Sequence, residues 1–142
     1  MKRILCALDG SKRAPMVLAA AARLAELADA KLVLFRAVSI PVDLPTEVMR
    51  VTDGNLEEIL RRNARTDLER GAQDLPAGLV EKYVVELATG WDGICRNAIE
   101  HQVDLIVLGS HGYGGIDRLL GTTAGKVVNH ADRNVLVVRT PL

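Results

Sequence analysis

Residues 104–115 read Asp104-Leu105-Ile106-Val107-Leu108-Gly109-Ser110-His111-Gly112-Tyr113-Gly114-Gly115, and nine positions after Gly112 comes Gly121-Thr122-Thr123. The short apolar run suits a strand buried on both faces. The glycine-rich stretch is a loop, and Ala124-Gly125-Lys126-Val127-Val128 reads as a helix start. The order strand, glycine loop, helix start places the loop at the carboxyl edge of an α/β sheet, where ligands bind. Glycines let the backbone approach a ligand without a Cβ in the way. The N–H groups and dipole of the next helix's first turn favour an anion there. The stretch therefore reads either as a phosphate cradle or as a tight turn alone, and its flanks favour the cradle.

Working outward, Ile4 to Leu8 is another short apolar run, stopped by Asp9-Gly10. Ser11 is placed to cap the next helix, and Pro15 falls in its first turn. Val17, Leu18, Ala21, Leu24, Ala25 and Ala28 give that helix one apolar side. Lys31 to Val38 is a second strand. Ser39 to Val51, with Pro41 and Pro45 and no clean period, is a connecting loop placed to cover a ligand. Leu56, Ile59, Leu60, Ala64, Leu68 and Ala72 mark a second amphipathic helix. Glu57/Arg61, Glu58/Arg62 and Arg65/Glu69 are i,i+4 pairs on its surface, worth about 0.2–0.5 kcal/mol each. Leu79 to Leu87 is a third strand whose Glu81, Lys82 and Glu86 suit a sheet edge. Thr89-Gly90-Trp91-Asp92 matches a capping box, continued by Ile94, Cys95, Ala98 and Ile99. Val127, Val128 and Ala131 mark the last helix, and Asn134 to Arg139 the last strand. The alternation βαβαβαβαβ predicts a parallel sheet between two helix layers with right-handed crossovers.

The 142 residues suit one domain, residues 1–142. Half the chain is apolar, at 49%, and 18 basic residues balance 18 acidic ones. That balance gives no drive toward nucleic acid or an anionic membrane. The Arg61, Arg62, Arg65 and Arg70 group reads as a salt-bridged, solvated face. No run reaches the length of a membrane span. The apolar run before Asp9 is too short for a signal-peptide core. Cys6 and Cys95, two well-separated cysteines, form neither a metal pattern nor a disulfide framework. A reduced, cytoplasmic protein is expected.

Asp9 ends the first strand. It either serves the turn, or it meets ribose hydroxyls or a magnesium ion across the switch point between strands one and four. Thr122 and Thr123 suit N-capping, phosphate binding or both. His111 lies inside the loop and suits ligand contact. No nucleophile with a partner carboxylate stands near it, so no catalytic residue is assigned. His101 and His130 suit helix C-termini, and Trp91 suits packing.

Together, Ile4-Leu5-Cys6-Ala7-Leu8-Asp9-Gly10-Ser11, the stretch Asp104 to Gly112, Gly121-Thr122 and the closing Val127 to Arg139 resemble the universal stress protein family over nearly the full chain. The resemblance implies a cytosolic, three-layer α/β protein with five parallel strands in the order 3-2-1-4-5, usually a homodimer. It implies ATP bound through a G-x2-G-x9-G-S/T motif in some members and no ATP in others. Carried over, Gly109, Gly112, Gly121 and Thr122 are the motif positions, and Ser110, His111 and Thr123 accompany them. Asp9 is the ribose contact with Ala7 and Leu8 beside it, and Ala37 and Val38 line the adenine. This sequence has eight residues between Gly112 and Gly121 where the motif has nine. The shorter loop keeps open a second reading, an interaction protein of the same fold without nucleotide. A third, slow ATP hydrolysis or phosphoryl transfer, lacks a basic residue beside the loop glycines, the nearest being Arg118 and Lys126. A homodimer is expected through Val135, Leu136, Val137 and Val138, which otherwise leave an unpaired edge.

Overall fold

The computed structural model describes residues 1–39, 55–110 and 120–139. Five strands alternate with four helices: β1 (Arg3–Ala7), α1 (Ala14–Ala28), β2 (Lys31–Val38), α2 (Asn55–Gly71), β3 (Val80–Leu87), α3 (Gly90–Glu100), β4 (Leu105–Gly109), α4 (Thr122–His130) and β5 (Asn134–Val138). The sheet order is β3-β2-β1-β4-β5, and every pairing is parallel. The expected fold class and order are both observed.

The continuous apolar runs follow from burial on two faces. Ile4 and Cys6 of β1, Leu32 and Leu34 of β2, and Leu105 and Val107 of β4 pack toward α1 and α2. The alternate residues Leu5, Val33, Phe35, Ile106 and Leu108 pack toward α3 and α4. Each of these large side chains, buried fully, contributes about 1.5–3 kcal/mol by leaving water. The chain turns out of α1 through Asp29 in the left-handed region at φ 53°, its N–H bonded to the carbonyls of Ala25 and Glu26. Gly78, at φ 82°, turns the chain into β3. That strand lies at the sheet edge with Glu81 and Lys82 exposed, as its polar residues predicted.

Several local expectations change. Helix α1 is capped at Arg13, with no side-chain cap bond; the Ser11 hydroxyl instead accepts the Arg13 N–H at 3.3 Å. Thr89 does stand at the N-cap of α3, yet no side chain bonds the helix end there. Asp92 is turned to Arg96, one turn on, at 3.5 Å, so the box does not close. The two threonines of α4 lie inside the helix, and Gly121 is its N-cap. In α2, Ala64 and Leu68 are buried, but Ile59 is 41% exposed: the apolar stripe meets the sheet only in its later turns. The three predicted i,i+4 pairs of α2 form, at 2.9, 3.4 and 2.8 Å.

Candidate functional site

β1 and β4 are neighbours, and helices leave them on opposite faces of the sheet: α1 follows β1 and α4 follows β4. Between those departures, at the carboxyl edge, lies a cavity of about 630 Å³. That is within the usual range for small-molecule sites.

β1 brings Ala7, Leu8 and Asp9 to its wall, and β2 brings Phe35, Ala37 and Val38. β4 and the turn after it bring Leu108, Gly109 and Ser110, and α4 brings Gly121, Thr122 and Thr123. Every described residue named from the sequence for this site therefore lines one cavity. His111 and Gly112 lie outside the described residues, as does the predicted loop Ser39 to Val51 apart from Ser39, which also lines it.

The wall is apolar at its base, through Phe35, Ile94 and Leu108, and polar at its rim. Three helices begin at the rim: α1 at Arg13 and Ala14, α3 at Gly90, and α4 at Gly121. None of the three N-caps carries a side-chain cap bond. The first N–H groups of a helix lack partners within it and carry the positive end of its dipole. Three such ends around one cavity make it suited to an anion. Gly121 adopts φ −61° and ψ 162°, extended backbone open to any residue, so its conformation does not require glycine. A Cβ on Gly90 would stand 3.6 Å from Thr123, so the ends of α3 and α4 lie close together.

Ser110 joins these parts. Its N–H donates to the Val138 carbonyl at 3.0 Å, and its own carbonyl accepts the Gly121 N–H at 2.7 Å. The residue is fully buried, and among the described residues its hydroxyl has no hydrogen-bond partner. A buried hydroxyl left unpaired is costly, and functional sites are where such groups occur. Asp9 is exposed; its Oδ1 accepts the Ser11 N–H at 2.9 Å, which orders the turn.

Sequence reading missed Arg13 and Gly90 as wall residues. Both follow the end of a parallel strand within a few positions, the one signal that would have found them. Gly93 supports the base of the cavity: a Cβ there would lie 2.9 Å from the Phe35 ring and 3.3 Å from Ala88.

The other candidates serve packing. Trp91 stacks on His130 with centroids 4.8 Å apart, tying the start of α3 to the end of α4, and Lys126 lies 5.6 Å over the indole. His101 caps the end of α3. Cys6 is free and buried, and burial pushes its thiol up to about 12; burial, then Asp92 and Asp132, also raises Cys95. Both thiols are held in the unreactive protonated form. A second depression, between α2, β3 and α3, is lined by charged residues, of which Glu58, Arg61, Arg62, Arg65 and Glu86 are held in ion pairs. Within it, burial alone would raise Glu86, but hydrogen bonds from Arg96 and Asn97 prevail and lower it. Among the described residues no group of three or more His, Cys, Asp or Glu is placed to hold a metal ion, and no helix is long and apolar enough to cross a membrane.

The family model described as the universal stress protein family matches residues 1–139. Universal stress protein A homolog 1 of Coxiella burnetii is 31% identical over 147 residues, covering 96% of this chain and 95% of that protein. Universal stress protein UspA from Lactobacillus plantarum superposes with a TM-score of 0.80 at 25% identity, covering 97% of each chain. Two further structures share the fold. One is a universal stress protein in complex with cAMP, with a TM-score of 0.68, 23% identity and coverage of 99% and 98%. The other is the universal stress protein from Archaeoglobus fulgidus in complex with dAMP, with a TM-score of 0.61, 19% identity and coverage of 96% and 97%. None of these names carries a catalytic activity.

Proposed function

Since the chain belongs to the universal stress protein family, we propose that it is a cytosolic, non-catalytic module that binds an adenine nucleotide, ATP foremost, at the carboxyl edge of its sheet. The observation that carries this reading is the convergence of three helix N-termini without side-chain caps and the unpartnered Ser110 hydroxyl on one cavity. In it the adenine lies against Ala37 and Val38, the ribose meets Asp9, and the phosphates lie toward Gly109, Gly121, Thr122 and Thr123. His111 and Gly112, outside the described residues, belong to the same proposed set. Support from relatives is that one solved universal stress protein holds cAMP and another dAMP, both adenine nucleoside monophosphates. Holding magnesium is the alternative task for Asp9, since such ions are commonly held by one or two carboxylates plus phosphate oxygens.

The same reading takes residues 1–142 as one domain and pairs two copies through β5. That strand is a sheet edge, and Leu136 on it is 40% exposed. An apolar edge left unpaired is prone to association, which a dimer resolves.

Calorimetric titration with ATP and magnesium tests the nucleotide reading. Saturable binding at micromolar to millimolar nucleotide is expected. No heat of binding at millimolar ATP would favour the second reading instead: the spacing between Gly112 and Gly121, one residue short of the motif, does not serve a nucleotide, and the protein acts by interaction alone.

A further inference from the structure

Phe35 of β2 lies at the base of the cavity and is the largest fully buried side chain among the described residues. Ala37, two residues on, shares its face of the sheet. The ring is packed beneath α3 at Gly93. A Cβ on Gly93 would lie 2.9 Å from the ring's Cζ and 3.3 Å from the Ala88 Cβ. Non-bonded carbons keep about 3.5–4.0 Å, so no larger residue fits as the chain stands. Gly93 is inside α3, where glycine is less favourable than alanine, so it serves space there. The helix is pinned at this point. The Gly93 N–H donates to the Thr89 carbonyl at 2.9 Å, and the Gly93 carbonyl accepts the buried Asn97 amide at 2.8 Å. That amide also bonds Glu86 of β3, and the Ala88 N–H holds the Val38 carbonyl at 3.2 Å. With α3 fixed to the sheet, the ring is the part that must yield to any side chain at residue 93. Beneath it lies the core of Leu5, Val33 and Ile94, and its open side is the cavity. The wall residues beside it, Ala7, Ala37, Ala88 and Gly90, are small and leave a slot above the ring.

We propose that Gly93 is a positioning residue for the nucleobase: by seating the Phe35 ring under α3 it keeps the slot deep enough for a two-ring base, so that the site prefers purine to pyrimidine nucleotides. The inference rests on the adenine-nucleotide reading above and adds to it the pair of residues that sets which base is accepted. An aromatic floor suits a base, because flat rings gain from stacked or edge-to-face contact beyond the area they bury. The single ring of a pyrimidine does not reach that floor. Gly93 touches no ligand in this account and acts through Phe35.

The test is calorimetric titration of wild type, Gly93→Ala, Phe35→Leu and the double variant with ATP and with CTP, each protein first shown to be folded by circular dichroism. Wild type is expected to bind ATP more tightly than CTP. Gly93→Ala pushes the ring into the slot and should lose about tenfold or more for ATP, with CTP little changed. Phe35→Leu should lose several-fold for ATP alone. In the Phe35→Leu background no ring is left to displace, so adding Gly93→Ala should cost ATP binding nothing further. Four results overturn the inference while the nucleotide reading stands: wild type binding ATP and CTP alike, Gly93→Ala binding ATP as wild type does, an equal fall for both nucleotides, or a loss undiminished in the Phe35→Leu background. If Gly93→Ala does not fold, Phe35→Leu decides, and unchanged ATP affinity in it sinks the inference. If wild type binds neither nucleotide, both readings fail.

Discussion

At the amino end of the sheet, Asp104 Oδ2 accepts the N–H groups of Lys2 and Arg3 at 2.6 and 3.1 Å, and Arg133 donates to the carbonyls of Ala98 and Val103 at 2.8 and 2.9 Å. Lys31 Nζ closes on the Gly78 carbonyl at 2.8 Å, and Arg3 pairs with Glu81 at 2.8 Å. At the carboxyl end, three helices begin without side-chain caps, and the buried Ser110 hydroxyl has no partner among the described residues. Both ends are built from the same strands, so the contrast is one of finishing. At the amino end side chains satisfy the backbone; at the carboxyl end Asp9 and Ser11 do so only for the turn after β1, and the starts of the three helices carry no side-chain cap. On the nucleotide reading those helix starts are left for the ligand.

The largest effect that can break this contrast is at Gly121. Gly121→Val fills the cavity while keeping an allowed backbone conformation, so ATP binding should fall by about a hundredfold or more with the fold intact. Circular dichroism beside calorimetry checks both halves. Normal ATP binding by this variant would show that the phosphates lie elsewhere.

Arg133→Met probes the opposite end. It strands two carbonyls and should cost about 1–3 kcal/mol in urea unfolding, with ATP affinity unchanged. A fall in affinity with no loss of stability would reverse the roles assigned to the two ends.

Ser110→Ala sharpens the comparison further. Removing a buried hydroxyl that has no partner among the described residues should raise stability by about 1 kcal/mol in the absence of nucleotide. A loss of stability would mean that the hydroxyl already has a structural task.

The smallest effect is at Asp104, whose carboxyl is held below its ordinary value by the backbone N–H groups of Lys2 and Arg3. A group depressed on folding stabilises above its unfolded value, near pH 4, and that contribution is lost as pH falls through the folded value. Asp104→Asn should therefore be slightly less stable than wild type at pH 7, and the gap should narrow below about pH 4. Unfolding midpoints measured across pH 2–7 decide it; a gap independent of pH would exclude the charge as its cause.

Much of this was legible in the chain because it depends on local pattern. Buried strands show as unbroken apolar runs, as in Leu105 to Leu108, and polar residues such as Glu81 and Lys82 marked the edge strand. The strand order came from the family resemblance, since no local pattern says which strands are neighbours. The caps were least legible. Thr89 and Asp92 have the spacing of a capping box, but Arg96 one turn on offers Asp92 an ion pair that competes with the helix end. Nothing in the sequence singles out Arg13, and only the departure of α1 over the β1–β4 boundary brings it to the cavity. The unsatisfied state of Ser110 is a property of its whole surroundings, which no sequence window contains.

The central claim is that the carboxyl end takes the nucleotide and the amino end does not. Backbone amide shifts of the isotope-labelled protein, followed by NMR during ATP addition, test it most directly. The account predicts saturable shifts at Leu8, Asp9, Val38, Gly109, Ser110, Gly121, Thr122 and Thr123, with Lys2, Arg3, Lys31, Gly78 and Asp104 unmoved. Shifts concentrated at the second group, or none anywhere at millimolar ATP, would contradict it.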